Sequence, residues 1–221
     1  MVTAALLLLA DGRFPSGGHA HSGGLEAAVS AGRVNGFDEL ASFLRGRLAT
    51  AGRVTASFAC AAHGFVDDPA TLAILDVELD ARTPSPALRH ASRQQGRALL
   101  RAGRATWPSP VFDRVPRRPN GPHHAIALGL TAAAAGLTVE QTALVAAYGT
   151  VTGPASAAVR LLGLDPYRVQ ALLASLADTC ETVAAASTAY RPPADLPADS
   201  APLADISAEV HATWEVRLFA S

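Results

Sequence analysis

Residues 165–190 read DPYRVQALLASLADTCETVAAASTAY. Asp165 followed by Pro166 is the punctuation of a helix start: a carboxylate that accepts free N–H groups, then a residue whose fixed φ suits the first turn. Val169, Leu172, Leu173, Leu176, Cys180 and Val183 recur every three to four positions, which gathers them on one side of a helix. The run stops at Arg191-Pro192-Pro193, where proline cannot continue it. The spacing predicts one long helix buried along one face.

The same devices recur on both sides of this segment. Asp68-Pro69 and Ser85-Pro86 each pair a capping side chain with proline at the first helical position, and Gly103 sits where a C-terminal glycine belongs. Thr138 and Gln141 are in capping-box register. A helix is expected to begin near Ser22, with the serine as its cap. No segment alternates apolar and polar residues with the β-branched content and hairpin turns of a strand. The expected fold class is all-α, a single-domain bundle of about eight to ten helices. Two stretches read as irregular: 106–122, a Pro-rich connection, and 192–202 (PPADLPADSAP), a semi-extended linker. They leave an all-helical body over 1–191, the linker over 192–202 and a tail over 203–221.

Composition bounds the function. The chain has 221 residues, 49% of them hydrophobic and 17% charged, which supports a real core and argues against disorder. A net charge near −1 supplies no field to draw the protein to nucleic acid or membrane. All 18 basic residues are arginine. A Schiff base or a Walker loop needs a lysine amine, so both are excluded. Cys60 and Cys180 are far apart, and the opening LLLLA is cut off by Asp11. Buried thiols and a soluble, cytoplasmic protein are expected.

Three features remain that could carry chemistry. Arg89, Arg93, Arg97 and Arg101 are spaced by four on the 85–103 helix, with Arg104 following. Such a stripe is either a face paired with Asp76, Glu78 or Asp80, or a docking surface, since like charges four apart repel and need an offset. In the tail, Leu203, Ile206, Val210, Trp214 and Leu218 keep helical spacing. That amphipathic segment either folds back on its own body or enters a groove on a partner. The histidines are the third feature. His19 and His21 in DGRFPSGGHAHSGGLE (11–26), Cys60 with His63, and His123-His124 could each meet a borderline cation. None has the three or four converging ligands of a settled site. No nucleophile elbow, zinc-protease motif, dinucleotide loop or acid pair is present, so nothing local marks a catalytic centre.

The order and spacing of four stretches resemble the urease accessory protein F (UreF) family. In LLLLADGRFPSGGHAHSGGLE, residues Asp11, Pro15, Gly17, His21, Ser22, Gly24, Leu25 and Glu26 fall on the family's N-terminal pattern. SRQQGRALL (92–100), AAVRLLGLD (157–165) and HATWEVRLFAS (211–221) are similar to its later motifs. The resemblance implies an all-helical homodimer that is not an enzyme. It would bridge the nickel-carrying GTPase (UreG) and UreD/UreH, so that nickel reaches apo-urease and GTP-dependent activation is regulated. It implies Glu26, Arg93, Arg97 and Arg160 toward the GTPase, and His211, Trp214, Arg217, Leu218 and Phe219 toward UreD/UreH. Nickel would be handled transiently, with no tightly held cofactor and with His19 and His21 as weak ligand candidates. The alternatives are a metal-binding helical enzyme or a nickel-buffering protein using His19 and His21.

Overall fold

The computed structural model describes residues 4–115, 118–189 and 191–219; of His19 only the backbone is described. Eleven α-helices are present among these residues: α1 (Ala4–Ala10), α2 (Leu25–Ser30), α3 (Phe37–Arg47), α4 (Arg53–Gly64), α5 (Pro69–Ala81), α6 (Pro86–Thr106), α7 (His124–Ala134), α8 (Val139–Leu162), α9 (Pro166–Ser175), α10 (Ala177–Ser187) and α11 (Pro202–Ala212). A π turn over Leu48–Gly52 joins α3 to α4, so these two form one bent rod and the rods number ten. No β-strand is among the elements of the described residues. The expected all-α bundle is the fold.

Helix α8 is the axis. Thr138 accepts from the Gln141 N–H while Gln141 returns to the Thr138 N–H, closing the capping box that the sequence announces. Helices α4, α7 and α10 pack around it with α6 outside α7. The core holds Leu40, Leu44, Leu48, Leu99 and Leu176, with Phe58, Leu72, Ile126 and Leu130 in a second cluster. Contact between α4 and α7 depends on Gly129. A Cβ there would fall inside contact distance of the Ala59 carbonyl oxygen and 2.8 Å from the Ala62 Cβ and the His63 nitrogen.

The segment 165–190 departs from its expected single helix. It breaks at Leu176 into α9 and α10. The Ser175 hydroxyl donates to the Leu172 carbonyl at 2.7 Å, offering the backbone a local alternative to the helical ladder at the break. The apolar face survives the bend: Val169, Leu172, Leu176, Cys180 and Val183 are all buried. Helix α6 runs past Gly103 to Thr106. That glycine is a packing residue, since a Cβ there would meet Thr131 and Phe112 at about 3 Å. Helix α2 starts at Leu25 rather than at Ser22, with Gly24 at its N-cap in the left-handed region. Ser22 still accepts the Glu26 N–H at 3.2 Å. The stretch 192–202 lies against α5: Leu196 is buried, and Arg82 donates to the carbonyls of Ala194, Leu196 and Pro197.

Candidate functional site

The C-terminal segment is seated on the body, and one carboxylate holds most of it. Glu26 lies in the first turn of α2, buried. Its Oε2 accepts from His211 Nε2 at 2.9 Å and from the Phe219 N–H at 3.0 Å; its Oε1 accepts from the Leu218 N–H at 2.8 Å. Burial alone would push this carboxyl up. The hydrogen bonds from Leu218, His211 and Phe219 outweigh it and leave Glu26 below its usual value, hence ionised. The Arg160 guanidinium stands over the Phe219 ring at 4.4 Å, and Trp214 tilts against the His211 ring at 4.6 Å.

Helix α11 is fastened by further polar contacts. Arg33 donates to the Ser207 hydroxyl at 2.7 Å. Glu209 accepts from the Ser85 hydroxyl and from the Ala87 N–H at 2.9 Å, so the tail supplies a carboxylate to the N-terminus of α6. The face turned to the body is Ser207, Ala208 and His211. The apolar stripe faces the other way: Leu203 is 55% exposed, Ile206 62% and Val210 55%, with Val216 at 84% and Leu218 at 71% beyond the helix. Helix α11 has folded back on its polar and small residues and presents Leu203, Ile206 and Val210 to solvent, while Phe219 at the end of the tail is buried in the main core.

Residues grouped by resemblance with different partners therefore meet at one place. Glu26 and Arg160 hold the same segment that contains His211, Trp214, Leu218 and Phe219, while Arg217 is exposed. Arg93 is elsewhere, buried in a network between α5, α6 and the start of α7. Its guanidinium pairs with Asp76 at 3.1 Å and Asp80 at 2.7 Å; Asp76 also pairs with Arg118 at 3.2 Å and accepts from the His123 N–H at 3.0 Å. His123 joins the Ser92 hydroxyl to Asp80, each at 2.9 Å. Those three side chains have the composition of a hydrolytic triad, but Asp80 is shared with Arg93 and the Ser92 hydroxyl also accepts the His124 N–H at 3.1 Å. The group ties three elements together. Arg97 is exposed and donates to the Asn120 carbonyl. Two others of the stripe also reach backbone, Arg89 to Thr83 and Pro84 and Arg104 to Phe112, and Arg101 is exposed.

The histidines and cysteines are spread through the fold. Cys60 donates to the Val139 carbonyl and is pushed up to about 12 by burial, with the Glu140 charge adding. His63 meets the Leu137 carbonyl at 2.8 Å. His124 is pushed down to about 4, by burial first and then by His21. The side chain of His19 lies outside the described residues. Among those residues no three of His, Cys, Asp and Glu come together as a metal cluster would. No helix among the described residues is long and apolar enough to cross a membrane.

Sequence reasoning missed Arg33, Ser207 and Glu209 as tail fasteners, and Arg47 altogether. Arg47 joins α3 to α8 and to the loop before α2 through the carbonyls of Thr150 and Gly23. The signal available for it was Pro154, which sits inside α8 and leaves a carbonyl without its donor.

Curated relatives match this chain over nearly its whole length. The family model described as UreF matches residues 34–177. A urease accessory protein UreF from Mycobacterium sp. (strain JLS) is 49% identical over 98% of this chain and 97% of its own length. Those of Mycolicibacterium vanbaalenii and Mycobacterium marinum are each 47% identical, the latter over the whole of both chains.

Proposed function

The chain belongs to the UreF family of urease accessory proteins, and from that premise we propose that it works as a non-catalytic scaffold in the cytoplasm. It bridges the nickel-carrying GTPase UreG and the UreD/UreH protein, as a homodimer, so that nickel passes to apo-urease and GTP-dependent activation is regulated. Nickel is cargo in this reading, handled transiently by the assembly.

The observation that supports it is the orientation of the tail. A helix whose apolar stripe were spent on its own core would offer a partner little. Here α11 is held by Glu26, Arg33 and the start of α6, and Leu203, Ile206 and Val210 stay exposed. Helix-in-groove recognition uses such spacing. Glu26 and Arg160 bear directly on the same segment, so a partner that takes the tail also acts on the residues assigned to the GTPase side.

The test is co-expression with UreG and UreD/UreH followed by sizing of the complex. Full-length chain should elute with both proteins. Chain lacking residues 203–221 should lose UreD/UreH while keeping its helical circular dichroism. Co-purification at full yield after truncation would overturn the tail assignment.

A further inference from the structure

Residues 192–199 read PPADLPAD. Pro192, Pro193 and Pro197 have no N–H, so this stretch cannot enter a regular ladder, and its carbonyls need donors from elsewhere. One side chain supplies them. Arg82, just after α5, donates from Nη2 to the Ala194 carbonyl at 2.9 Å and the Leu196 carbonyl at 3.2 Å, and from Nε to the Pro197 carbonyl at 3.2 Å. Its Nη1 is held by the Glu78 carbonyl and carboxylate one turn back, so every N–H of the fork has an acceptor. The guanidinium lies over the Phe58 ring at 5.4 Å. Leu196 is buried in the second core cluster with Phe58, Leu72 and Leu75, and Arg53 pairs with Asp199 at 3.0 Å.

Beyond Asp199 this attachment stops. Among the described residues no hydrogen bond joins Ser200, Ala201 or Pro202 to the body, and α11 begins without a side-chain cap. Attachment resumes farther on, where Arg33 meets Ser207, Glu209 meets the start of α6 and Glu26 meets His211. The two attached pieces differ in kind. The first has a leucine in the core and main-chain carbonyls gathered by one cation, and freeing it would open the α4–α5 cluster. Helix α11 is seated through Ser207, Ala208 and His211 and buries no large apolar side chain of its own. Its polar contacts can be exchanged for those of water or another protein at small net cost.

We propose that Arg82 is the positioning residue of the docking tail: it fixes residues 193–199 as a strap, and the tail leaves its seat about a hinge at 200–202 with the strap still in place. Recognition through several carbonyls calls for a fork with donors in fixed directions, which the point charge of a lysine lacks. The strap also sets the reach of the tail. A partner that takes α11 is held within the short span of chain beyond Asp199, and so at high effective concentration for a second contact with the body. In its use the inference rests on the tail reading; the hinge itself needs no partner.

Pulsed spin-label distances in the full-length chain test it. One label sits on Ala198→Cys in the strap or on Glu215→Cys in the tail, each paired with Ala185→Cys on α10; the three positions are exposed, and the native Cys60 and Cys180 are buried. Glu26→Gln, which loosens the seat, should widen the tail distance distribution about twofold or more and leave the strap distribution as it was, as local opening on one side of a hinge does. Adding Arg82→Gln should widen both. Arg82→Lys keeps the charge beside Glu78 and loses the fork; it should widen the strap distribution as well, and it carries the test if Arg82→Gln fails to fold. A strap that widens together with the tail in Glu26→Gln alone, or one that stays sharp in Arg82→Lys, would overturn the assignment. With UreD/UreH added to the unmodified tail, the tail distance should move and the strap distance should not. A strap that moves too overturns the hinge, whereas a tail distance that does not move overturns the tail reading alone.

Discussion

His211 Nε2 stands 2.9 Å from Glu26 Oε2, although the two residues are 185 positions apart. With the Leu218 and Phe219 N–H groups on the same carboxylate, Glu26 becomes the point at which the end of the chain closes on its beginning. Charge-assisted hydrogen bonds of this kind are stronger than neutral ones and costly to leave half-made when buried.

Glu26→Gln should therefore loosen the tail before it loosens the body. It keeps the shape but loses the charge and an acceptor. Hydrogen exchange should rise across residues 203–219 while the protection of α4, α7 and α8 is kept. The expected loss is about 1–3 kcal/mol. Equal loss of protection everywhere would show that the clamp is part of the global fold.

Leu203→Ser, Ile206→Ser and Val210→Ser combined should behave in the opposite manner. These residues are more than half exposed, and surface changes usually fall within about 0.5 kcal/mol each. The melting temperature should hardly move while retention of UreD/UreH on an affinity column fails. A large drop in melting temperature with retention intact would sink the docking role of the stripe.

Arg93→Met removes the cation that holds Asp76 and Asp80. Asp76 is fully buried and, among the described residues, keeps only partly exposed Arg118 as a charged partner. Breaking a buried pair from one side costs about 3–5 kcal/mol, to be read as a shift in the urea midpoint. Gly129→Ala should be as severe, because the new methyl meets the α4 backbone, which cannot turn aside as a side chain can.

Acid should destabilise the protein from more than one direction. His124 has a folded value of about 4, below its ordinary 6.5, so the unfolded chain takes up that proton first. Its contribution is complete above pH 6.5 and is lost as pH falls from 6.5 toward 4. Glu26 is a depressed carboxylate; its contribution is present above 4.5 and is lost as pH falls through its folded value. The melting temperature should fall steadily from pH 7 to 4. His124→Gln should flatten the upper part of that fall and Glu26→Gln the lower part.

Local chemistry was legible where one segment contains its own cause. The Asp68-Pro69, Ser85-Pro86, Thr138–Gln141 and Asp165-Pro166 starts are all present as read. The face of 165–190 was legible but not its bend, because period reports which side is buried and not how the backbone runs. Stripes misled for a related reason. Spacing puts Leu203, Ile206 and Val210 on one side of α11, yet nothing in the spacing says whether that side faces the body. The fasteners that decide it, Glu26, Arg33 and the Ser85–Ala87 turn, lie more than 100 residues away in sequence.

The carboxylate that Glu209 lends to α6 has an electrical corollary. Residues 203–221 contain Asp205, Glu209 and Glu215 against a single Arg217, so without them the rest of the chain changes from a formal charge of −1 to +1. A tail engaged elsewhere leaves behind a body of the opposite sign, with the positive end of α6 and Arg89 newly uncovered. Whatever approaches after the tail has moved meets a surface that attracts acidic proteins, and by salt dependence alone that second encounter can be told from the first.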